Sequence, residues 1–261
     1  MVNRLSLNLK KTNFVIFHSQ NKRTKNLTLK INKKAIAESN TVKYLGINID
    51  STLTWKPHID KLTRTISRAL GVMYRIRSSV NMDILKTLYY ALIYPHLNYA
   101  VETWGAADIT HLNRVLILQK RIVRMITLSD KRHDDFSYPT ANPLFKQLGF
   151  LKIQDIFILR ISIFVYKCLN KSTPLIFHSW FTNIHNIHQY NTRSKYISIA
   201  NNVHTRTLFI PSSRTTHYGL KQTKVLGAKI WNTLPNHLRM DDMSLPTFSK
   251  SLKKHLMEQN Y

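Results

Sequence analysis

Few side chains in this sequence are spaced to act as acids, bases or metal ligands. The 13 acidic residues include two adjacent pairs, Asp134–Asp135 in KRHDDFSYP and Asp241–Asp242 in LRMDDMSLP. Neighbouring aspartates hold two divalent ions only on a tight turn with a third carboxylate opposite. Asp241–Asp242 instead lies between loop and helix-start sequence, where the helix dipole explains a carboxylate. Asp134–Asp135 sits among its own basic neighbours after a helix. Asp50 and Asp60 flank a strand-to-helix change in KYLGINIDSTLTWKPHID. Only His58 is near them, so they read as turn and helix-start residues. His178, His185 and His188 have no cysteine or acid close in sequence, and their basic surroundings oppose a cation. Neither glycine-rich nucleotide-binding pattern occurs. The residues therefore assign no catalytic group, no metal site and no cofactor.

Positive charge is where the sequence speaks. Lys+Arg number 39 against 13 Asp+Glu, a net +26 and a pI near 10.3. Such a chain repels itself unless its partner is a polyanion, and nucleic acid is the leading class. Taking 100° per residue, Lys61, Arg64, Arg68 and Arg75 fall within an arc of about 60°. That arc lies opposite the apolar stripe Ile59, Leu62, Ile66, Ala69, Met73 and Ile76. A second helix repeats the scheme, with Arg114, Lys120, Arg121 and Arg124 opposing Leu112, Val115, Ile122 and Ile126. Two basic faces almost free of acids point to a surface that tracks phosphates. From Asp155 to Asp241 no acid intervenes, while eleven Lys/Arg and six His do.

The elements that must carry these faces follow from periodicity. Residues 12–19 (TNFVIFHS), 27–31 (LTLKI) and 41–50 (TVKYLGINID) read as strands, too few for an independent core. Helical spacing begins at Trp55, with Pro57 in the first turn and Thr54 as N-cap. Further helices are expected at about 83–94, continuing past Pro95 to Trp104, then 109–128, 153–169, 224–232 and 245–259. The fold class is α+β: a short N-terminal antiparallel β segment (1–55), a mainly helical bundle (56–130), and a partly irregular basic C-terminal region (131–261). The single cysteine, Cys168, excludes a disulfide framework and reads as a buried core thiol. Residues 87–101, the longest charge-free apolar run, are shorter than the ~20 needed to span a bilayer. The N-terminus has no apolar core of signal-peptide length, so a nuclear or cytoplasmic chain with no membrane partner is expected.

NRLSLNLKKTNFVIF (3–17), VKYLGINIDSTLTWKPHI (42–59), LYYALIYPHLNYAVETWG (88–105), LQKRIVRMI (118–126), RTTHYGLKQTKVLGAKIWNTLP (214–235) and LPTFSKSLKKHL (245–256) together carry a family resemblance. They resemble the C-terminal part of a LINE-type (non-LTR, jockey-like) retrotransposon reverse transcriptase. The most specific pieces are Tyr44–Gly46 with Trp55 and His58, and the Trp-Asn-x-Leu-Pro run at 231–235.

The resemblance implies that 1–55 is the end of the palm, with Lys11 the palm-end lysine of a Lys-Thr pair that leads into a palm strand. Tyr44, Leu45 and Gly46 would form the primer-grip hairpin, and 56–130 the thumb. It places the Mg²⁺-binding aspartates before Asn3, outside this sequence, so the chain alone is expected to be inactive as a polymerase. The expected partner is an RNA or DNA duplex, the primer–template. A stand-alone basic nucleic-acid-binding protein and a relic without function predict the same residues.

Overall fold

A computed structural model describes residues 8–9, 11–20, 27–128, 140–187, 206–215, 218–240 and 243–259. The pairs Asp134–Asp135 and Asp241–Asp242, together with His188 and most of the basic stretch after it, lie outside the described residues. The fold is α+β, as the sequence implies.

The β segment is sparser than its sequence suggests. Of residues 12–19 only β1 (Asn13–Phe14) is paired, and it runs parallel to β4 (Ala37–Glu38). β2 (Lys30–Ile31) and β3 (Lys34–Ala35) form a two-residue antiparallel rung. Alternation marks a chain as extended but does not supply the neighbour that would pair it. The exception is the hairpin of β5 (Thr41–Tyr44) and β6 (Ile47–Asp50), in register from Thr41↔Asp50 to Tyr44↔Ile47. Its two-residue turn has φ 44° at Leu45 and 84° at Gly46. Positive φ at both positions is the I′ geometry that matches strand twist, and Gly46 takes it without the cost that Leu45 bears.

The helices form the body. α1 (Lys56–Ile76) starts at a cap different from the one expected: Trp55 holds the N-cap position in the left-handed region (φ 64°). Thr54 plays a weaker part, its Oγ1 accepting from the Lys56 amide at 3.3 Å. The helix expected to run through to Trp104 is three pieces: α2 (Met82–Leu92), α3 (Tyr94–Asn98) and α4 (Val101–Trp104). Pro95 supplies no amide, and Ala100 at φ 48° breaks the path again. α5 (Ile109–Ile126) and α7 (Ile153–Leu169) appear where the periodicity puts them. So do α8 (Thr223–Thr233) and α9 (Leu245–Gln259). α6 (Ala141–Leu148) is an addition.

One continuous set of buried residues runs from Ile59 on α1 to Leu256 on α9. α7 is its centre, burying Ile153, Ile156, Leu159, Ile161, Val165 and Cys168 against α3, α4, α5, α8 and α9. Burial pushes the Cys168 thiol pKa up. Gly105 lies tight against α7: a Cβ there would stand 2.3 Å from the Phe157 ring. Buried Gln119 joins α5 to the start of α7, donating to the Leu151 carbonyl (3.1 Å) and accepting from the Ile153 amide (2.8 Å). This fixes α5, and α1 lies along it through the shared core.

Candidate nucleic-acid interface

α1 turns Ile59, Leu62, Ile66 and Met73 inward, while α5 turns in Leu112, Val115, Leu118 and Ile122. Because each helix buries one stripe, its basic face is left outside. The two outer faces meet in a groove. One stretch, about 500 Å³, is lined by Arg64, Arg68, Arg114 and Arg121 with Ser67 and Ile117 among the residues between them. It continues through Ser67, Ile117 and Arg121 into a stretch of about 910 Å³ carrying Arg75, Lys120 and Arg124. No carboxylate lines either stretch.

Seven of the eight basic residues singled out from the sequence therefore share one groove. Lys61, the eighth, is exposed nearer the start of α1 and lines neither stretch. Arg114 is held by an ion pair with Asp60, which gives that carboxylate a structural role. Among the described residues no carboxylate pairs with Arg64, Arg68, Arg75 or Arg121. From Arg64 to Arg75 the helix rises about 16 Å, close to five steps along one strand of a duplex.

Charge patterning missed the apolar part of the groove. Tyr74 and Ile117 are half exposed and line it with Leu70. The Arg77 guanidinium sits 4.0 Å from the Tyr74 ring centroid, a cation–π contact. Gly71 lies there too, and a Cβ on it would meet nothing within 4 Å. The available signal was the placement of Tyr74 beside Arg75 and of Ile117 on the basic side of α5.

The hairpin is positioned by a different set of bonds. Its tip is open to solvent, with Tyr44 63% and Leu45 72% exposed. The Tyr99 hydroxyl donates to the Leu45 carbonyl at 2.6 Å. At the other end Asp50, 6% exposed, accepts four hydrogen bonds of 2.8–2.9 Å from the Thr52 hydroxyl, the Thr54 amide and hydroxyl, and the Trp55 amide. Burial alone would raise its pKa, but the bonds from Thr54, Thr52 and Trp55 outweigh it and hold the carboxyl below its ordinary value. His58 Nδ1 accepts from the Asn48 amide at 3.5 Å, and its ring lies 5.4 Å from Trp104. Burial, then Lys61, hold this imidazole below its usual pKa, in the neutral form that can accept. Tyr44–Gly46 are thus tied to the body through Tyr99, whereas His58 bonds the side of the hairpin and Trp55 its base. Lys11 is exposed just before β1, and no described hydrogen bond joins its side chain to the groove.

Among the described residues no three His, Cys, Asp or Glu side chains gather as metal ligands would. His178 bonds the Thr173 carbonyl at 2.6 Å. No described helix is long and apolar enough to cross a membrane.

Comparison with known proteins agrees with the resemblance. The chain is 31% identical over 100 residues to the RNA-directed DNA polymerase from mobile element jockey of Drosophila funebris, 37% of this chain and 11% of the relative. It is 26% identical over 126 residues (47% and 14%) to the probable RNA-directed DNA polymerase from transposon X-element of Drosophila melanogaster. It is 32% identical over 88 residues (33% and 10%) to the corresponding enzyme from transposon BS of the same species. The chain thus spans only about a tenth to a seventh of the length of the curated relatives it matches. No family model matches the chain, and no solved structure does so significantly.

Proposed function

We propose that the α1–α5 groove holds the backbone of a nucleic-acid duplex, in the manner a thumb holds primer–template in an RNA-directed DNA polymerase. The hairpin tip at Tyr44, Leu45 and Gly46 is then the primer contact. The observation that supports this reading is the convergence of seven Lys and Arg side chains from two helices on one groove whose lining holds no carboxylate. Asp60 pairs with Arg114 without lining it. Arginine suits the task because its planar fork meets phosphate oxygens in pairs. The partner is RNA or DNA in duplex form, met in the nucleus or cytoplasm. The resemblance implies Mg²⁺ for a whole enzyme. The described carboxylates do not fit it: Asp50 is consumed by its own turn and Asp60 by Arg114. No step of nucleotide transfer is assigned to these residues.

Salt dependence tests the proposal. Binding through phosphates releases counterions, so affinity falls linearly with salt on logarithmic axes. Arg64→Gln with Arg68→Gln keeps helix propensity and leaves the buried stripe untouched. It is expected to lower the salt slope by about two and to weaken duplex binding at moderate salt about tenfold or more. Lys250→Gln with Lys253→Gln, on the exposed side of α9, is the control. Equal losses in the two double variants would show that +26 acts as a diffuse cloud, and the groove reading would be abandoned.

A further inference from the structure

A second cavity, about 590 Å³, opens where the hairpin corner, α4 and the start of α8 meet. Its size suits one small ligand or part of a larger one. Trp55, Trp180 and Tyr218 line it, with Lys221 and Lys224 on the α8 side and no carboxylate in the wall. Asp108 nearby takes the Lys221 ammonium in an ion pair, while the Lys224 side chain is exposed.

Aromatic faces beside cations are the composition that binds unpaired bases: the rings stack on any base and the ammonium groups meet its phosphate. The aromatic groups are also held ready. Leu53 (φ 52°) and Trp55 (φ 64°), both in the wall, are left-handed although neither is glycine. Such backbone persists only where surroundings over-determine it, here through the Asp50 bonds to Thr54 and Trp55. Trp180 is fixed from behind by edge contacts to Phe177 (4.9 Å) and Phe164 (6.2 Å). Neither indole needs to reorganise to accept a base, which lowers the ordering cost of binding.

We propose that this cavity binds an unpaired nucleotide of a single strand, its base against Trp55 and Trp180 and its phosphate at Lys224. The site is separate from the duplex groove and does not depend on it. The partner is recognised by a π-face and a phosphate together, so sequence preference is weak.

Tryptophan fluorescence of the full chain reads the site directly, because Trp104 and Trp231 are wholly buried and only Trp55 and Trp180 are open to a quencher. A short oligothymidylate is expected to quench the emission, while an abasic strand with the same phosphates leaves it unchanged. Trp180→Leu is expected to weaken oligothymidylate binding roughly tenfold. Lys224→Gln, at an exposed position, should weaken it severalfold even if the tryptophan variant folds poorly. Arg64→Gln/Arg68→Gln should leave base-dependent quenching intact, so failure of the groove reading and failure of this one are distinguishable. Equal quenching by the abasic strand, no response to any oligonucleotide, or wild-type affinity in Lys224→Gln would overturn the proposal.

Discussion

The hairpin segment and the helical body are stabilised by opposite means. Among the described residues up to position 50 only Ile47 and Asp50 are buried, whereas a single apolar core runs through every long helix. The hairpin is held by directed polar bonds: Tyr99 at its tip, His58 at its side, and Asp50 at its base. Each such bond contributes about 1 kcal/mol net, and those to a charged group more, so a few suffice to fix position but not to make an independent fold. The body can therefore present its basic groove without the hairpin, whereas the hairpin takes its place only from the body. Trp104 belongs to both regions, since its buried ring lies beside His58 and its Nε1 donates to the Tyr99 carbonyl at 2.9 Å.

Trp104→Ala should accordingly break the contrast. Removing a fully buried indole costs about 3–5 kcal/mol, and the Tyr99 carbonyl loses its donor at the same time. Denaturant unfolding is expected to shift by that amount, with amide protection lost in both α1 and the hairpin. A shift below about 1 kcal/mol would mean that the α3–α4 corner is not part of the core.

Asp50→Asn sharpens the contrast from the hairpin side. The carboxamide nitrogen would face an amide or hydroxyl that now donates to Asp50, so about 2–3 kcal/mol should be lost with the α1–α5 groove intact. The sign with pH follows from the depressed carboxyl. Stability from Asp50 is complete above the unfolded value, which the chain's ordinary 3.8 approximates, and is lost as pH falls through the lower folded value. Wild type should therefore lose its advantage over Asp50→Asn on acidification below about pH 4. Parallel stability curves for the two proteins between pH 6 and pH 2 would show that the four bonds do not act as a charged clamp.

Legibility in the sequence divides along the same line. The inward stripes of α1 and α5 follow from period, because burial imposes period on a helix covered on one side. α7 shows instead as a long apolar run because it is covered on most sides. The separate arcs of charge were also visible, but a helical wheel says nothing about which faces adjoin. The groove needs α1 packed along α5, which is itself pinned through Gln119 to the start of α7, a long-range bond. Arg114 counted as a free cation until Asp60, 54 positions away in sequence, became its neighbour. α6 escaped notice because it is two turns long with Pro143 near its start. Its one local mark is Gly149, which ends it at φ 71°. The short strands failed in the other direction: the apolar, β-branched run in 12–19 is real, but a ladder needs a partner that composition alone cannot supply.

Tyr99→Phe has the smallest expected effect and isolates the comparison best. Phenylalanine keeps the ring that stands 3.5 Å from where a Gly46 Cβ would be, and removes only the hydroxyl that donates to the Leu45 carbonyl. That carbonyl is at an exposed tip, so water replaces the lost donor and the global cost should be about 0.5–1 kcal/mol. The local consequence is larger in kind. Leu45 keeps a left-handed backbone that a leucine disfavours, and the tip loses its tether to the body. Hydrogen exchange should accelerate across Tyr44–Ile47 while protection in α1 and α5 stays at the wild-type level, since those amides report the core. Duplex affinity should fall only slightly if the groove supplies most of the phosphate contacts. A loss equal to that of Arg64→Gln/Arg68→Gln would make the tip, rather than the groove, the principal contact. Unchanged exchange at the tip would show instead that the I′ turn holds itself, and that the hairpin owes less to the body than its buried area implies.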